Sequence, residues 1–191
     1  MSSIQSWIED LVGGDEVRAE YAASQLGLVG GPAISGLEEL LKSPEADHRW
    51  WAVRTLAQIP EINANYFVDA LEDASSEVRQ AAALALAGHP VEGAAPALVR
   101  ALGDEDAMVR TLAVNALSAI GKPVVPILLD RFPRASASEK IHAMRVLAEL
   151  RDPRAIPIMM KAMDEDSAIL HHWCEIGLQQ LGLDMVYLKL D

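Results

Sequence analysis

Few side chains in this sequence have the types and spacing that metal binding requires. His171, His172 and Cys174 lie close together, and the acidic run 164–166 precedes them, so these residues are the first candidates for a metal site. Consecutive residues on a helix point about 100° apart, however, and His171 and His172 therefore do not converge easily on one ion. We predict no bound metal and no cofactor.

Cys174 is also the first candidate for a nucleophile, because it is the only cysteine among the 191 residues. It falls at a small-residue position of the helical repeat described below, where a buried and unreactive thiol is expected. The sequence has no phosphate-binding glycine loop, no GxSxG motif and no CxxC pair. We predict no catalytic residue.

A repeat of about 30 residues positions the candidate side chains. An anchor residue recurs every 30 or 31 positions, at Arg49, Arg79, Arg110, Lys140 and His171, with a first copy near Ala19. A constant period of this length is typical of stacked helical pairs. We expect the anchors to brace adjacent repeats by bonding to loop carboxylates or carbonyls. The prediction is an all-α fold in one domain over 1–191, with an N-terminal cap helix in 1–14 and repeats at about 15–43, 44–73, 74–104, 105–135, 136–165 and 166–191.

Each repeat has an apolar stripe and a set of positions that the stripe leaves out. Small or apolar residues stand 3, 4, 6, 7 and usually 10 positions after the anchor, as in Ala113, Val114, Ala116, Leu117 and Ile120, which predicts one helix face in the core. Positions 1, 2, 5 and 9 after the anchor should point away from the core. Several of these carry large or functional side chains, which are our candidate partner-binding residues: Tyr21, Trp50, Trp51, Arg54, Leu84, Leu112, Asn115, His142, Arg145, His172 and Trp173.

Glycine, proline and acidic residues mark the predicted helix ends. Gly121 suits a helix terminus, and prolines at the starts of second helices suit a first turn; they are Pro96, Pro126 and Pro157. The acidic runs 104–106 and 164–166 stand just before first helices, where carboxylates accept hydrogen bonds from open N–H groups. We predict that both runs cap helices.

The charge and hydropathy of the chain restrict its partners and its location. A net charge of −12 and a pI near 4.8 oppose binding to nucleic acid, which needs a basic surface to displace counterions. We find no apolar run long enough to span a bilayer and no basic-then-apolar N-terminal segment. We expect a cytoplasmic protein that binds neither nucleic acid nor membrane.

Three segments resemble a known repeat family. VRTLAVNALSAIG, RWWAVRTLAQI and LRDPRAIPIMMKAM are similar to the HEAT-like repeat named after the phycobilisome lyases, and the resemblance covers nearly the whole chain. It implies a right-handed α-solenoid, an armadillo-like α/α superhelix of about six helix pairs. It also implies that the first helices line a concave groove, so that the candidate residues lie there.

Two functions follow from this groove. Aromatic and arginine side chains are the usual hot spots of interfaces, so our main prediction is a non-enzymatic scaffold that binds a partner protein or peptide. The alternative, implied by the resemblance, is a subunit related to the phycocyanobilin lyases, acting on a chromophore-carrying partner, with His142 and Arg145 holding the pigment's propionates. The same surface could form a homodimer. A purely structural role for the tryptophans is also possible at this stage: Trp173 would cover the last repeat, and Trp50 and Trp51 would pack against neighbouring helices.

Overall fold

Short helices follow one another through residues 3–183, the part of the chain that the computed structural model describes. The α-helices are α1 (Ser3–Leu11), α2 (Glu16–Val29), α3 (Ile34–Leu41), α4 (Ala46–Leu56), α5 (Asn65–Ala70), α6 (Ser76–Gly88), α7 (Ala95–Ala101), α8 (Ala107–Ile120), α9 (Val125–Arg131), α10 (Ala137–Leu150), α11 (Ile156–Ala162) and α12 (Ala168–Gln180). Between residues 3 and 183 there is no strand, so the predicted all-α fold is confirmed. The end of the predicted sixth repeat, residues 184–191, lies outside the described residues.

The helices form two compact units, Met1–His89 and Pro90–Asp191. In the first unit α2, α4 and α6 lie side by side, α1 packs against α2, α3 against α4, and α5 against α6. In the second unit α8, α10 and α12 lie side by side, α7 packs against α8, α9 against α10, and α11 against α12. Each unit therefore has one layer of long helices and one layer of short helices. The single domain and the repeat boundaries stay predictions.

The predicted apolar stripe forms the core of each unit. Ala113, Val114, Ala116 and Leu117 of α8 are fully buried, whereas Ile120 is half-buried. The small side chains allow helices to approach closely, and each fully buried leucine contributes about 1.5–3 kcal/mol. The largest fully buried side chains include Leu26, Leu56, Phe67 and Leu86 in the first unit and Leu98, Leu117, Leu147 and Met144 in the second.

The predicted helix ends are confirmed at one acidic run and corrected at the other. The Asp106 carboxylate caps α8 by accepting hydrogen bonds from the N–H groups of Met108 and Val109, both at 2.9 Å. At α12 the cap is Ser167, whose hydroxyl accepts from the N–H of Leu170. The run 164–166 ends one residue before that capping position, so the prediction that it caps α12 is wrong.

Glycine and proline stand where the sequence places them. Gly121 ends α8 with φ of +85°, a backbone conformation that side chains with a Cβ rarely adopt. Prolines lie in the first turns of three second helices, as predicted; these are Pro96, Pro126 and Pro157.

The anchor arginines bind the loop that precedes their own helix. Arg49 Nη1 donates to the carbonyls of Ser43 and Pro44, at 2.9 and 3.0 Å. Arg79 and Arg110 make the same pair of bonds to the carbonyls six and five residues before them. The predicted bonding of the anchor side chains to loop carbonyls is therefore confirmed at these three positions.

No single helix in the described range 3–183 has the length and apolar composition to cross a membrane. The segments Ala107–Ile120 and Lys122–Arg134 meet those two criteria only when they are taken together, and they are bent by 110°.

Candidate functional site

The eleven predicted site residues lie on the long helices of both units, and none of them is buried in a core. The first unit holds Tyr21 on α2, Trp50, Trp51 and Arg54 on α4, and Leu84 on α6; the second holds Leu112 and Asn115 on α8, His142 and Arg145 on α10, and His172 and Trp173 on α12. Tyr21, Leu84, Asn115 and His172 are exposed, and the other seven are half-buried. Trp50, Trp51 and Trp173 are thus neither fully exposed in a groove nor fully buried against neighbouring helices.

In the first unit, the structure brings Trp50, Trp51 and Arg54 together. The two indole rings meet edge to face with their centroids 4.9 Å apart. The guanidinium of Arg54 lies 5.0 and 5.2 Å from the two ring centroids, within the range of a cation–π contact. It is also paired with Glu20 on α2 at 2.7 Å. Arg54 is therefore a fixed part of the surface.

Trp50 and Trp51 also line a cleft of about 460 Å³ in the first unit, which we name the tryptophan cleft. The polar residues that line this cleft come from the starts of α2, α4 and α6. Four carboxylate side chains line it, namely Asp15, Glu16, Asp47 and Glu77. Among the described residues that line the cleft there is no lysine, arginine or histidine. The cleft therefore combines aromatic rings with negative charge.

Sequence reasoning assigned acidic residues to helix capping and missed the carboxylates of this cleft. A signal for them was present, because an acidic residue stands two positions before the basic residue in the first three repeats, as Glu16, Asp47 and Glu77. In the last three repeats the same position is occupied by uncharged residues, namely Met108, Ser138 and Ile169. Acidic residues at this repeat position therefore occur only at the helix starts of the first unit.

In the second unit, the structure brings together His142, Arg145, His172 and Trp173, which we name the arginine–tryptophan cluster. The Arg145 guanidinium on α10 lies 5.5 Å from the ring centroid of Trp173 on α12. The His172 imidazole lies 5.6 Å from the same indole, at a steep angle. In this cluster the cation on α10 therefore lies beside two aromatic rings on α12, the neighbouring helix.

A carboxylate that the prediction did not select holds Arg145 in place. Glu149 Oε1 accepts a hydrogen bond from Arg145 Nε at 2.9 Å. Glu149 Oε2 accepts one from the Ser118 hydroxyl of α8 at 2.6 Å. This chain of hydrogen bonds connects α8 to α10 and fixes the direction of the guanidinium.

His142 is half-buried and lies near two guanidiniums. Burial lowers the pKa of His142, and the nearby guanidiniums of Arg110 and Arg145 lower it further. The imidazole is therefore neutral at pH 7 and can act as a hydrogen-bond donor or acceptor. Arg110 was predicted only as an anchor, because its sequence position does not show that it faces α10. The surroundings of His142 make this part of the second unit suitable for an anion.

The residues first considered for chemistry do not form a reactive site. Cys174 is fully buried, and burial together with Glu165 and Glu175 raises the pKa of its thiol to about 12. His171 shares a hydrogen bond with the carbonyl of Glu165. Within residues 3–183 no group of three or more His, Cys, Asp or Glu side chains is placed to hold a metal ion. The predicted burial of the Cys174 thiol is confirmed.

Family models for helical repeats match the middle of the chain. The model for HEAT repeats matches residues 64–140, and the model for the PBS lyase HEAT-like repeat matches residues 140–165. The two matches together span 64–165, slightly more than half of the chain.

Two curated relatives each match about half of the chain. The chain is 28% identical over 102 residues to a phycobilisome maturation protein of Synechococcus elongatus, a match that covers 53% of this chain and 48% of the relative. It is 31% identical over 91 residues to the bilin biosynthesis protein RpcF of Synechococcus sp. (strain WH8020), a match that covers 47% of this chain and 44% of the relative. The matched part thus spans about half the length of these relatives.

Solved structures with a similar fold are helical-repeat proteins. An archaeal HEAT-like repeats protein from Thermococcus onnurineus matches with a TM-score of 0.65 at 15% identity, over 95% of this chain and 81% of that one. The complex of CpcE and CpcF of phycocyanin lyase from Nostoc sp. matches with a TM-score of 0.59 at 20% identity, over 76% of this chain and 98% of that one. At these identities the likeness establishes the fold, and it confirms the predicted α-solenoid class.

The relatives overturn the main functional prediction. A non-enzymatic interaction scaffold is contradicted, because the matched relatives are named for phycobilisome maturation and bilin biosynthesis, and one similar structure is a phycocyanin lyase complex. Helical spacing alone does not separate the two functions, because aromatic side chains outside the core suit a flat small molecule as well as a protein. Residues 64–140 match the model for HEAT repeats, residues 140–165 match the model for the PBS lyase HEAT-like repeat, and the fold is that of helical-repeat proteins, so residues 64–165 of this chain consist of HEAT-type repeats, the last of them of the PBS lyase HEAT-like type.

Proposed function

We propose that this chain is a bilin lyase-like subunit that holds a linear tetrapyrrole and takes part in its transfer to or from a partner protein. The observation that carries this proposal is the placement of the Arg145 guanidinium 5.5 Å from the Trp173 ring. A bilin is a flat conjugated molecule with two propionate groups. It therefore requires an aromatic surface and a nearby cation, and the arginine–tryptophan cluster offers both.

The electrostatics of the second unit support an anionic ligand. Arg110 and Arg145 both lower the pKa of His142, so a propionate near them would be attracted by two guanidiniums. The neutral imidazole of His142 would add a hydrogen bond without competing for the carboxylate's charge. By contrast, the carboxylates of the tryptophan cleft in the first unit would repel a propionate.

The thiol that accepts the pigment comes from the partner. Bilin attachment adds a thiol S–H across a carbon–carbon double bond of the pigment: the sulfur–carbon bond forms, and the proton goes to the adjacent carbon. Cys174, the chain's only cysteine, is fully buried and its pKa is raised to about 12. It is therefore neither accessible nor ionised at pH 7, and the chain acts as a carrier or a presenting subunit.

Titration of the full chain with phycocyanobilin tests this proposal. We expect a shifted visible absorption band, an induced circular dichroism signal in the visible range and quenching of Trp173 fluorescence. Arg145→Gln should weaken binding about 10- to 100-fold, which corresponds to the loss of a charge-assisted hydrogen bond. Arg134→Gln is the matched control, because Arg134 is an exposed arginine of the same unit whose pair with Asp130 is weak, at 3.9 Å.

The absence of any spectral change would count against pigment binding at once. Equal weakening by Arg145→Gln and by Arg134→Gln would show that net charge, rather than the arginine–tryptophan cluster, controls the affinity. Transfer of the pigment to a partner is measured separately. A thiol-bearing apo-phycocyanin subunit is added, and covalently attached pigment is detected by zinc-enhanced fluorescence on a denaturing gel.

A further inference from the structure

We propose that the tryptophan cleft of the first unit receives an arginine side chain from a partner protein. This binding site lies in Met1–His89 and is separate from the arginine–tryptophan cluster, and its proposed ligand has the opposite charge. The inference therefore does not depend on pigment binding.

The size and walls of the cleft set the first limits on its ligand. A volume of about 460 Å³ is within the range of sites that bind small groups or side chains. Trp50 and Trp51 line it with two rings whose planes lie 79° apart. Half-buried indole rings provide a large contact area with little loss of conformational entropy on binding.

The charge of the cleft selects a cation. Asp15, Glu16, Asp47 and Glu77 line it together with the indoles. Asp15 also caps α2 by accepting a hydrogen bond from the backbone N–H of Arg18, and this neutral donor leaves the negative charge of its carboxylate in place. Because such a field attracts cations and opposes anions, the ligand carries positive charge.

The contact of Arg54 with the same indoles favours guanidinium over other cations. Its guanidinium lies 5.0 and 5.2 Å from the Trp50 and Trp51 centroids, and it is paired with Glu20 at 2.7 Å. Arg54, on the same helix as the two indoles, thus shows that a guanidinium can contact these rings and a carboxylate at the same time. A planar guanidinium can stack on an indole while it donates to carboxylates, which a compact ammonium does less well.

The test uses the full chain and a blocked peptide of alternating glycine and arginine. The probe is followed by the indole N–H resonances of the four tryptophans in a ¹⁵N-correlation spectrum. Trp50→Phe and Trp51→Phe each remove one resonance and so assign the two signals. The control peptide carries citrulline in place of arginine, which keeps the shape of the side chain and removes its charge.

We expect the arginine peptide to shift the Trp50 and Trp51 resonances and to leave Trp173 unchanged, with an affinity that falls as salt is added. Glu16→Gln combined with Asp47→Asn should weaken binding about 3- to 10-fold, as expected for two solvent-exposed charge pairs. Asp164→Asn combined with Asp166→Asn removes the same charge from exposed positions of the second unit and should leave the affinity unchanged.

Three results would overturn the proposal. They are an absence of shifts at Trp50 and Trp51, equal shifts with the citrulline peptide, or equal weakening by the two double variants. The last result would reveal attraction to the net charge of −12 instead of a site. Since the probe contains no pigment, failure of this test leaves the tetrapyrrole proposal intact, and the reverse also holds.

Discussion

Arg49 and Asp73, 24 positions apart in the sequence, form a bidentate ion pair. Arg49 Nε lies 2.7 Å from Asp73 Oδ2, and Nη2 lies 2.8 Å from Oδ1. The hydrogen bonds from Arg49 lower the pKa of Asp73, and the same bonds raise the pKa of Arg49. Because Arg49 also binds the carbonyls of Ser43 and Pro44, one side chain ties the loop before α4 to the loop before α6.

Arg49→Ala should therefore destabilise the chain by about 1.5–3 kcal/mol, the range for hydrogen bonds to charged groups. Both side chains of the pair are mostly buried, so little of the loss is recovered by solvation. The measurement is urea denaturation followed by helical circular dichroism. The control is Lys42→Ala, whose pair with Glu39 is exposed on both sides and should change stability by less than about 0.5 kcal/mol. Equal effects of the two substitutions would mean that the loops are not held by Arg49.

Two glycines should respond to alanine with opposite signs. A Cβ at Gly27 would lie 2.8 Å from the Cβ of Gln58, an atom that cannot swing away, so α2 would have to move away from the turn that follows α4. Gly27→Ala should cost about 1–3 kcal/mol. A Cβ at Gly88, the last residue of α6, meets nothing within 4 Å, and Gly88→Ala should stabilise by about 0.4–1 kcal/mol. Thermal denaturation of both variants checks the signs, and a stable Gly27→Ala variant would contradict the close approach of α2 to the turn that follows α4.

Asp152 should contribute to stability in a manner that depends on acid pH. Hydrogen bonds from the side chain and the backbone N–H of Arg154 lower the pKa of Asp152 from 3.8 to about 2. A carboxyl whose pKa falls on folding stabilises the fold above the unfolded value of 3.8, and this contribution is lost as the pH falls through about 2. Asp152→Asn should lower the denaturation midpoint at pH 7, and its difference from the parent should shrink between pH 4 and pH 2. Asp164→Asn, at an exposed position, should show no such difference at any pH.

Cys174 should resist thiol reagents in the native chain. The thiol is fully buried and its pKa is about 12, so almost no accessible thiolate exists at pH 8. Labelling with a disulfide reagent should be slow in buffer and complete within minutes in denaturant. Since there is one cysteine, the signal has a single source. Rapid labelling of the native chain would show that the α10–α12 packing opens readily.

Pigment affinity should increase as the pH falls from 7 to 6. Burial, Arg110 and Arg145 lower the pKa of His142 in the free chain. A propionate bound beside these guanidiniums offsets their charge and raises the pKa of His142 above its lowered value in the free chain, so binding takes up a proton and strengthens as the pH falls below 7. His142→Gln should remove this dependence, whereas His48→Gln, in the first unit, should keep it. Titrations with phycocyanobilin at both pH values provide the measurement, and an unchanged pH profile in His142→Gln would show that His142 does not sense the pigment.

The sequence alone determined the helices, their apolar faces and most of their ends. These features depend on residues a few positions apart: the stripe through Ala113 and Leu117, the cap at Asp106 and the turn at Gly121 all follow from local geometry. The bonds from Arg110 to carbonyls five and six residues earlier are equally local. The absence of the eleven site residues from the buried core also followed from helical spacing, because the stripe fixes which face packs inward; seven of the eleven are half-buried and four are exposed.

The tertiary structure decided which of those side chains meet. Arg145 reaches Trp173, and Arg49 reaches Asp73, only because α10 lies beside α12 and the loop before α6 lies within reach of α4. The same is true of the carboxylates that line the tryptophan cleft, which come from three helix starts far apart in sequence. Helical periodicity gives the direction of a side chain from its own axis, but the distance to a side chain on another helix depends on how the helices pack.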